Sequence, residues 1–116
     1  ALDLKNIVPT AKVLIVTTPH KSASFVATKA GFASLQLKHQ VIGVIENMSY
    51  FVNPVNGQKE KIFGEGGGDV VAEKLGCELL CQLPIEQPKH HLSLFESDED
   101  SGQIYDNLAI LLTILP

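Results

Sequence analysis

Basic clusters are absent from this sequence, and its formal net charge is −4 at pH 7. Capture of nucleic acid or of an anionic membrane surface needs concentrated positive charge, so neither partner is expected. Long apolar runs are missing as well. The longest, residues 108–115, falls far short of the roughly 20 residues a membrane span requires, and no signal peptide is visible. Two cysteines, Cys77 and Cys81, are too few for a secreted disulfide framework. These absences make a soluble cytoplasmic protein the expectation. The single methionine is Met48 and the chain begins at Ala1, which points to a processed or shortened form of something longer.

What is present suits a packed core. Of 116 residues, 45% are hydrophobic and 19% charged, the balance of one domain or part of one. Residues 1–9 give a short amphipathic turn stopped by Pro9. Lys12–Thr18 is a β-branched run apolar on both faces, hence a buried strand. Ser22 is the expected N-cap of a helix running to about Lys38, with Val26, Ala30, Ala33 and Leu37 on one face directed at the sheet. Val41–Asn47 is the next strand. Strand, helix and strand in this order predict a right-handed βαβ unit with parallel strands.

Residues 50–63 break the pattern. Tyr50-Phe51-Val52 and Lys61-Ile62-Phe63 flank a Pro/Asn/Gly tip, which predicts a β-hairpin excursion. The run 64–69 then leads into a short helix with Asp69 as N-cap and Gly76 just past its end. Glu78–Leu83 is a third strand stopped by Pro84. Residues 86–100 read as loop, and Asp100 or Ser101 caps a last helix with the stripe Ile104, Leu108, Leu111, Leu112 and Leu115. The fold class is α/β: part of a three-layer, Rossmann-like domain with a mostly parallel sheet.

Several groups have more than one reading. Glycines before a helix expose N–H groups to a phosphate, but FGEGGGD (63–69) matches neither GxxxxGK[ST] nor GxGxxG, and a flexible helix entrance is favoured. Cys77 and Cys81 would lie about 13 Å apart along a strand, too far to share a metal, so burial as small apolar groups is favoured. His90 and His91 have no partner at ligand spacing and read as solvated loop. His20 stands at the ligand edge of the first strand, and the acidic run 96–100 reads as a solvated helix start complementing the helix dipole. Asn47 follows a central strand, where open parallel sheets bind ligands. Its amide is able to pair with the N6/N7 edge of adenine, or merely to form a turn.

In combination, IVTTPH (15–20), VIGVIENMSYF (41–51), IFGEGGGD (62–69) and the LP at 83–84 resemble, in order and spacing, the C-terminal half of the Mrp/ApbC-type P-loop ATPases. These relatives of MinD are associated with iron–sulfur cluster assembly and carriage. The resemblance covers essentially residues 1–116 as the C-terminal part of one P-loop NTPase-like domain. It implies ATP with Mg²⁺, a homodimer for which this chain supplies the dimer-forming hairpin, iron–sulfur client proteins and cytoplasmic location. It also implies that Asn47 reads the adenine, with Pro84, Ile85 and Glu86 beside the base.

Two departures qualify these expectations. No GKGGxGK[ST]-like loop occurs in the sequence, nor the acidic residues that would hold Mg²⁺, so this chain alone is expected neither to bind ATP tightly nor to hydrolyse it. Where many members carry CPxC, this chain reads Asn53-Pro54-Val55-Asn56. Asparagine supplies no thiolate, so no cluster is expected at this tip. The alternative function is a stand-alone, non-catalytic interaction or dimerisation module acting through residues 49–63.

Overall fold

The computed structural model describes residues 11–89 and 94–114. The expected turn at 1–9, His90-His91 and Leu115 lie outside them. Three parallel strands, β1 (Lys12–Thr17), β2 (Gln40–Glu46) and β5 (Leu79–Gln82), form a sheet in the order β1-β2-β5. Helix α1 (Lys21–Gln36) is the crossover from β1 to β2, and α2 (Gly67–Leu75) precedes β5. A separate antiparallel pair, β3 (Phe51–Val52) and β4 (Lys59–Glu60), projects between β2 and α2. Helix α3 (Asp100–Ile114) ends the chain.

Alternation along the strands supplies two cores. Ile15 and Val44 meet Ala27 of α1 and Val71, Ala72 and Leu75 of α2 on one face. Ile45 and Leu83 meet Leu108 of α3 on the other, with Ile104 and Leu112 packed alongside. The result is the expected α/β/α layering. No helix among the described residues is long and apolar enough to cross a membrane.

The buried face of α1 differs from the one expected. Ser24, Ala27, Thr28, Gly31 and Ser34 face inward, while Val26 is 65% exposed and Ala30 and Ala33 are exposed. The inward hydroxyls bond to carbonyls of their own helix (Thr28 Oγ1 to Ser24 O at 2.8 Å, Ser34 Oγ to Ala30 O at 3.0 Å), so burying them leaves no polar group unpaired. Small size then lets α1 approach α2 closely. A Cβ on Gly31 would lie 2.3 Å from Leu75 Cδ1. The outward apolar stripe instead borders an open groove of about 670 Å³ along the edge of β1, shared with Leu14 and Val16.

Other boundaries also shift. The cap of α1 is His20, whose Nδ1 accepts from the Ser22 N–H at 3.1 Å, and not Ser22. Gly66, at φ 82°, caps α2, and Asp69 sits exposed in the first turn. Gly76 ends α2 in the left-handed region, as expected (φ 69°). Lys61-Ile62-Phe63 pass beyond the hairpin, whose pairs are Phe51 with Glu60 and Val52 with Lys59. In the acidic run Glu99 is buried. Its carboxylate turns back to accept from the N–H groups of Glu96 (2.7 Å) and Lys89 at the start of α3.

Candidate functional site

The carboxyl ends of the strands are level: Thr17 pairs with Glu46, and Glu46 with Gln82. Beyond them the main chains continue to bond, although regular strand has ended. Asn47 N–H donates to Thr17 O at 2.7 Å, and Leu83 N–H to Glu46 O at 2.8 Å. Ser49 N–H then donates to Leu83 O at 2.8 Å and Ile85 N–H to Tyr50 O at 2.7 Å. Residues 47–50 and 83–85 are therefore locked side by side. Met48 takes a left-handed backbone (φ 53°), which turns the chain out of the sheet.

This lock brings Asn47, Pro84, Ile85 and Glu86 together at one cleft of about 240 Å³. Such a volume is below the roughly 300–1,000 Å³ of drug-sized sites and suits one ring system. Asn47 Oδ1 accepts from Met48 N–H at 2.9 Å, leaving Nδ2 for another partner. Glu86 Oε2 accepts from Ser101 Oγ of α3 at 2.9 Å. Tyr50 has its phenol pushed upward by partial burial first and then by the charges of Glu86 and Asp100.

Beneath the cleft lies a residue that sequence reasoning passed over. Glu46 is 1% exposed, and its carboxylate accepts from Ser49 Oγ (2.5 Å), Gly68 N–H (2.7 Å) and Gln82 Nε2 (3.2 Å). The signal was a charged residue closing an otherwise apolar strand, since a buried carboxylate must find donors. Glu46 also accounts for one glycine of the run, Gly68, and Pro19 for another, Gly67. A Cβ on Gly67 would lie 2.5 Å from Pro19 O, and one on Gly68 2.7 Å from Glu46 Oε2. The start of α2 is thus tightly packed, where a flexible entrance was expected. The anion that Gly68 N–H holds is the chain's own.

The other candidates are placed apart from the cleft. His20 is occupied as a helix cap. Cys77 packs against the α1/α2 core and Cys81 against the α3 core, and burial pushes both thiols upward. Among the described residues no group of three or more His, Cys, Asp or Glu is arranged to hold a metal. At the hairpin tip the asparagines shape the turn: Asn53 Oδ1 accepts from Val55 N–H and Asn56 Oδ1 from Gln58 N–H, both at 2.9 Å.

A family model of the ParA group, described as NUBPL iron-transfer P-loop NTPase, matches residues 1–107. The chain belongs to that family. It is 40% identical over 114 residues to an iron–sulfur cluster carrier protein of Bacillus subtilis, which covers 94% of this chain and 32% of that relative. An iron–sulfur cluster carrier protein of Mycobacterium leprae is 40% identical over 92 residues, 74% of this chain and 24% of its own length. A solved nucleotide-binding protein from Archaeoglobus fulgidus, in complex with ADP, superposes with a TM-score of 0.51 at 31% identity, over 84% of this chain and 35% of that one. The NUBPL-family chain thus spans about a third of the length of these relatives, or less.

Proposed function

We propose that this chain supplies the adenine side of the nucleotide site in an ATP-binding protein that carries iron–sulfur clusters. In this reading residues 1–116 are the C-terminal part of one P-loop ATPase domain, working in the cytoplasm as a homodimer and handing clusters to client proteins. The observation that carries it is the convergence of Asn47, Pro84, Ile85 and Glu86 on one ring-sized cleft at the carboxyl end of a parallel sheet. Asn47 is the base reader: Nδ2 is free to donate to a ring nitrogen, and Oδ1 is able to accept from an exocyclic amine by giving up Met48 N–H. Pro84 and Ile85 supply apolar contact, and Glu86 supplies a fixed acceptor at the rim.

The residues present fit the base but not the phosphates or Mg²⁺. The sequence has no lysine-bearing phosphate loop, and the available anion hole at Gly68 is filled by Glu46. When bound elsewhere in the intact site, Mg²⁺ would neutralise phosphate charge. No hydrolytic step is assigned to this chain. The cluster is cargo, and the asparagines at 53 and 56 offer it no thiolate.

Titration of the ¹⁵N-labelled 116-residue chain with ADP tests the proposal. Amide shifts are expected at Asn47, Ile85 and Glu86, and Asn47→Ala should weaken ADP about tenfold, as loss of a bidentate base contact does. GDP should be affected less. Shifts confined to surfaces away from the cleft would refute the assignment.

One observation bears on the dimer-forming hairpin of this reading and equally on the alternative, a non-catalytic interaction module. The hairpin leaves Val52 of β3 and Val55 of the tip exposed, Val55 by 92%. Apolar side chains held out on a projecting hairpin suit a partner surface. If the tip pairs two copies, Val55→Asp should convert a dimer to a monomer in light scattering. An unchanged mass would exclude the tip from the dimer contact.

A further inference from the structure

The cleft has lining that the strand-end motifs do not provide. Phe95, just before α3, and Tyr105 within it both border the cavity that holds Asn47 and Glu86. Their rings stack on one another, with centroids 6.2 Å apart and planes inclined by 24°. Phe95 is half-buried, while Tyr105 is 46% exposed. Ser101 and Tyr105 are one helical turn apart and so share a side of α3. Ser101 is buried and donates to Glu86. That bond fastens the helix to the strand-end loop, so the aromatic surface is held at a fixed distance from the polar rim.

A planar heterocycle needs a flat partner as well as edge contacts. Hydrogen-bonding groups at the rim select an edge; an aromatic face stabilises any base by stacking, whatever its substituents. Within the described lining of this cleft, aromatic rings come from Phe95 and Tyr105 alone.

We propose that Tyr105, paired with Phe95, is the stacking wall of the base site, so that α3 sets the affinity for nucleoside while Asn47 sets its identity. The proposal rests on the base-binding reading given above and adds a residue to it.

The experiment uses the 116-residue chain with adenosine and guanosine as probes, followed by amide shifts. Tyr105→Ala should weaken both nucleosides by about the same factor, roughly tenfold, whereas Asn47→Ala should weaken adenosine selectively. Tyr105→Phe should stay within about twofold of the parent, because the ring and not the hydroxyl makes the contact. Tyr105→Leu keeps apolar bulk without a ring and should remain several-fold weaker. Well-dispersed spectra of each variant would establish that the fold is kept. Parent-like affinity in Tyr105→Leu would reduce the residue to packing and overturn the proposal, as would unchanged affinity in Tyr105→Ala. Adenosine that shifts no cleft amide in the parent chain would remove the base-binding reading itself, and this inference with it.

Discussion

Replacing Glu46 by alanine is expected to lower stability by about 3 kcal/mol, seen as a lower urea midpoint with an unchanged slope. Each group bonded to this carboxylate comes from a different part of the junction: Ser49 from the turn after β2, Gly68 from the start of α2 and Gln82 from the end of β5. Removing the acceptor strands the Gly68 N–H in a buried setting, and an unpaired buried donor costs roughly 1–3 kcal/mol by itself. Ser49 is able to rotate its hydroxyl, and the Gln82 amide is only half-buried, so these two add less. The cavity left by the side chain adds further cost. Glu46→Gln retains the volume and one acceptor oxygen, and about 1 kcal/mol is expected. A loss below about 0.5 kcal/mol for Glu46→Ala would show that the junction is held by packing alone.

Gly67→Ala is the second large effect, and its sign is informative. Helix propensity alone would favour alanine by about 1 kcal/mol. The added Cβ, however, would stand 2.5 Å from Pro19 O, 2.7 Å from Pro19 C and 2.8 Å from Pro19 Cα. All three are backbone atoms directly after β1, and they have no rotamer by which to retreat. Overpacking of this kind costs roughly 1–3 kcal/mol, so destabilisation should win by about 2 kcal/mol. Gly31→Ala is the control. Its Cβ meets the flexible end of Leu75, at 2.3 Å from Cδ1, and a smaller loss is expected. Thermal melts of the two variants side by side check the order. A Gly67→Ala chain more stable than the parent would mean that α2 is free to move away from Pro19.

Much of the fold was legible because the strands obey simple rules. KVLIVT and VIGVIE are apolar on both faces, as strands covered by helices on two sides must be, and the LP pair stops the third where expected. The four residues that meet at the cleft were legible only as a motif. Nothing in their spacing shows that residues 47–50 and 83–85 bond to one another after the strands end; that depends on three-dimensional register. The inner face of α1 was misread because hydropathy favours Val26 over Ser24, and serine buries well once its hydroxyl bonds to Lys21 O. Glu46 was passed over for a related reason. Its donors lie at sequence separations of 3, 22 and 36 residues, out of reach of any local pattern. In sequence Ser101 reads only as a candidate helix cap and Tyr105 carries no reading; the bond from Ser101 to Glu86 is what ties this side of α3 to the cleft.

The one-sided pairing of β1 has a consequence for solvent exchange. Among the described residues β1 has a neighbour only in β2, whereas β2 is bonded on both sides. Parallel strands alternate the direction of their N–H groups, so about half of the amides of β1 point away from β2, toward the edge that no described strand covers. In deuterium these should exchange quickly, while those of β2 persist. Protection would then fall away outward from the strand that ends in Glu46, and the amides next to the cleft would be among the slowest in the molecule.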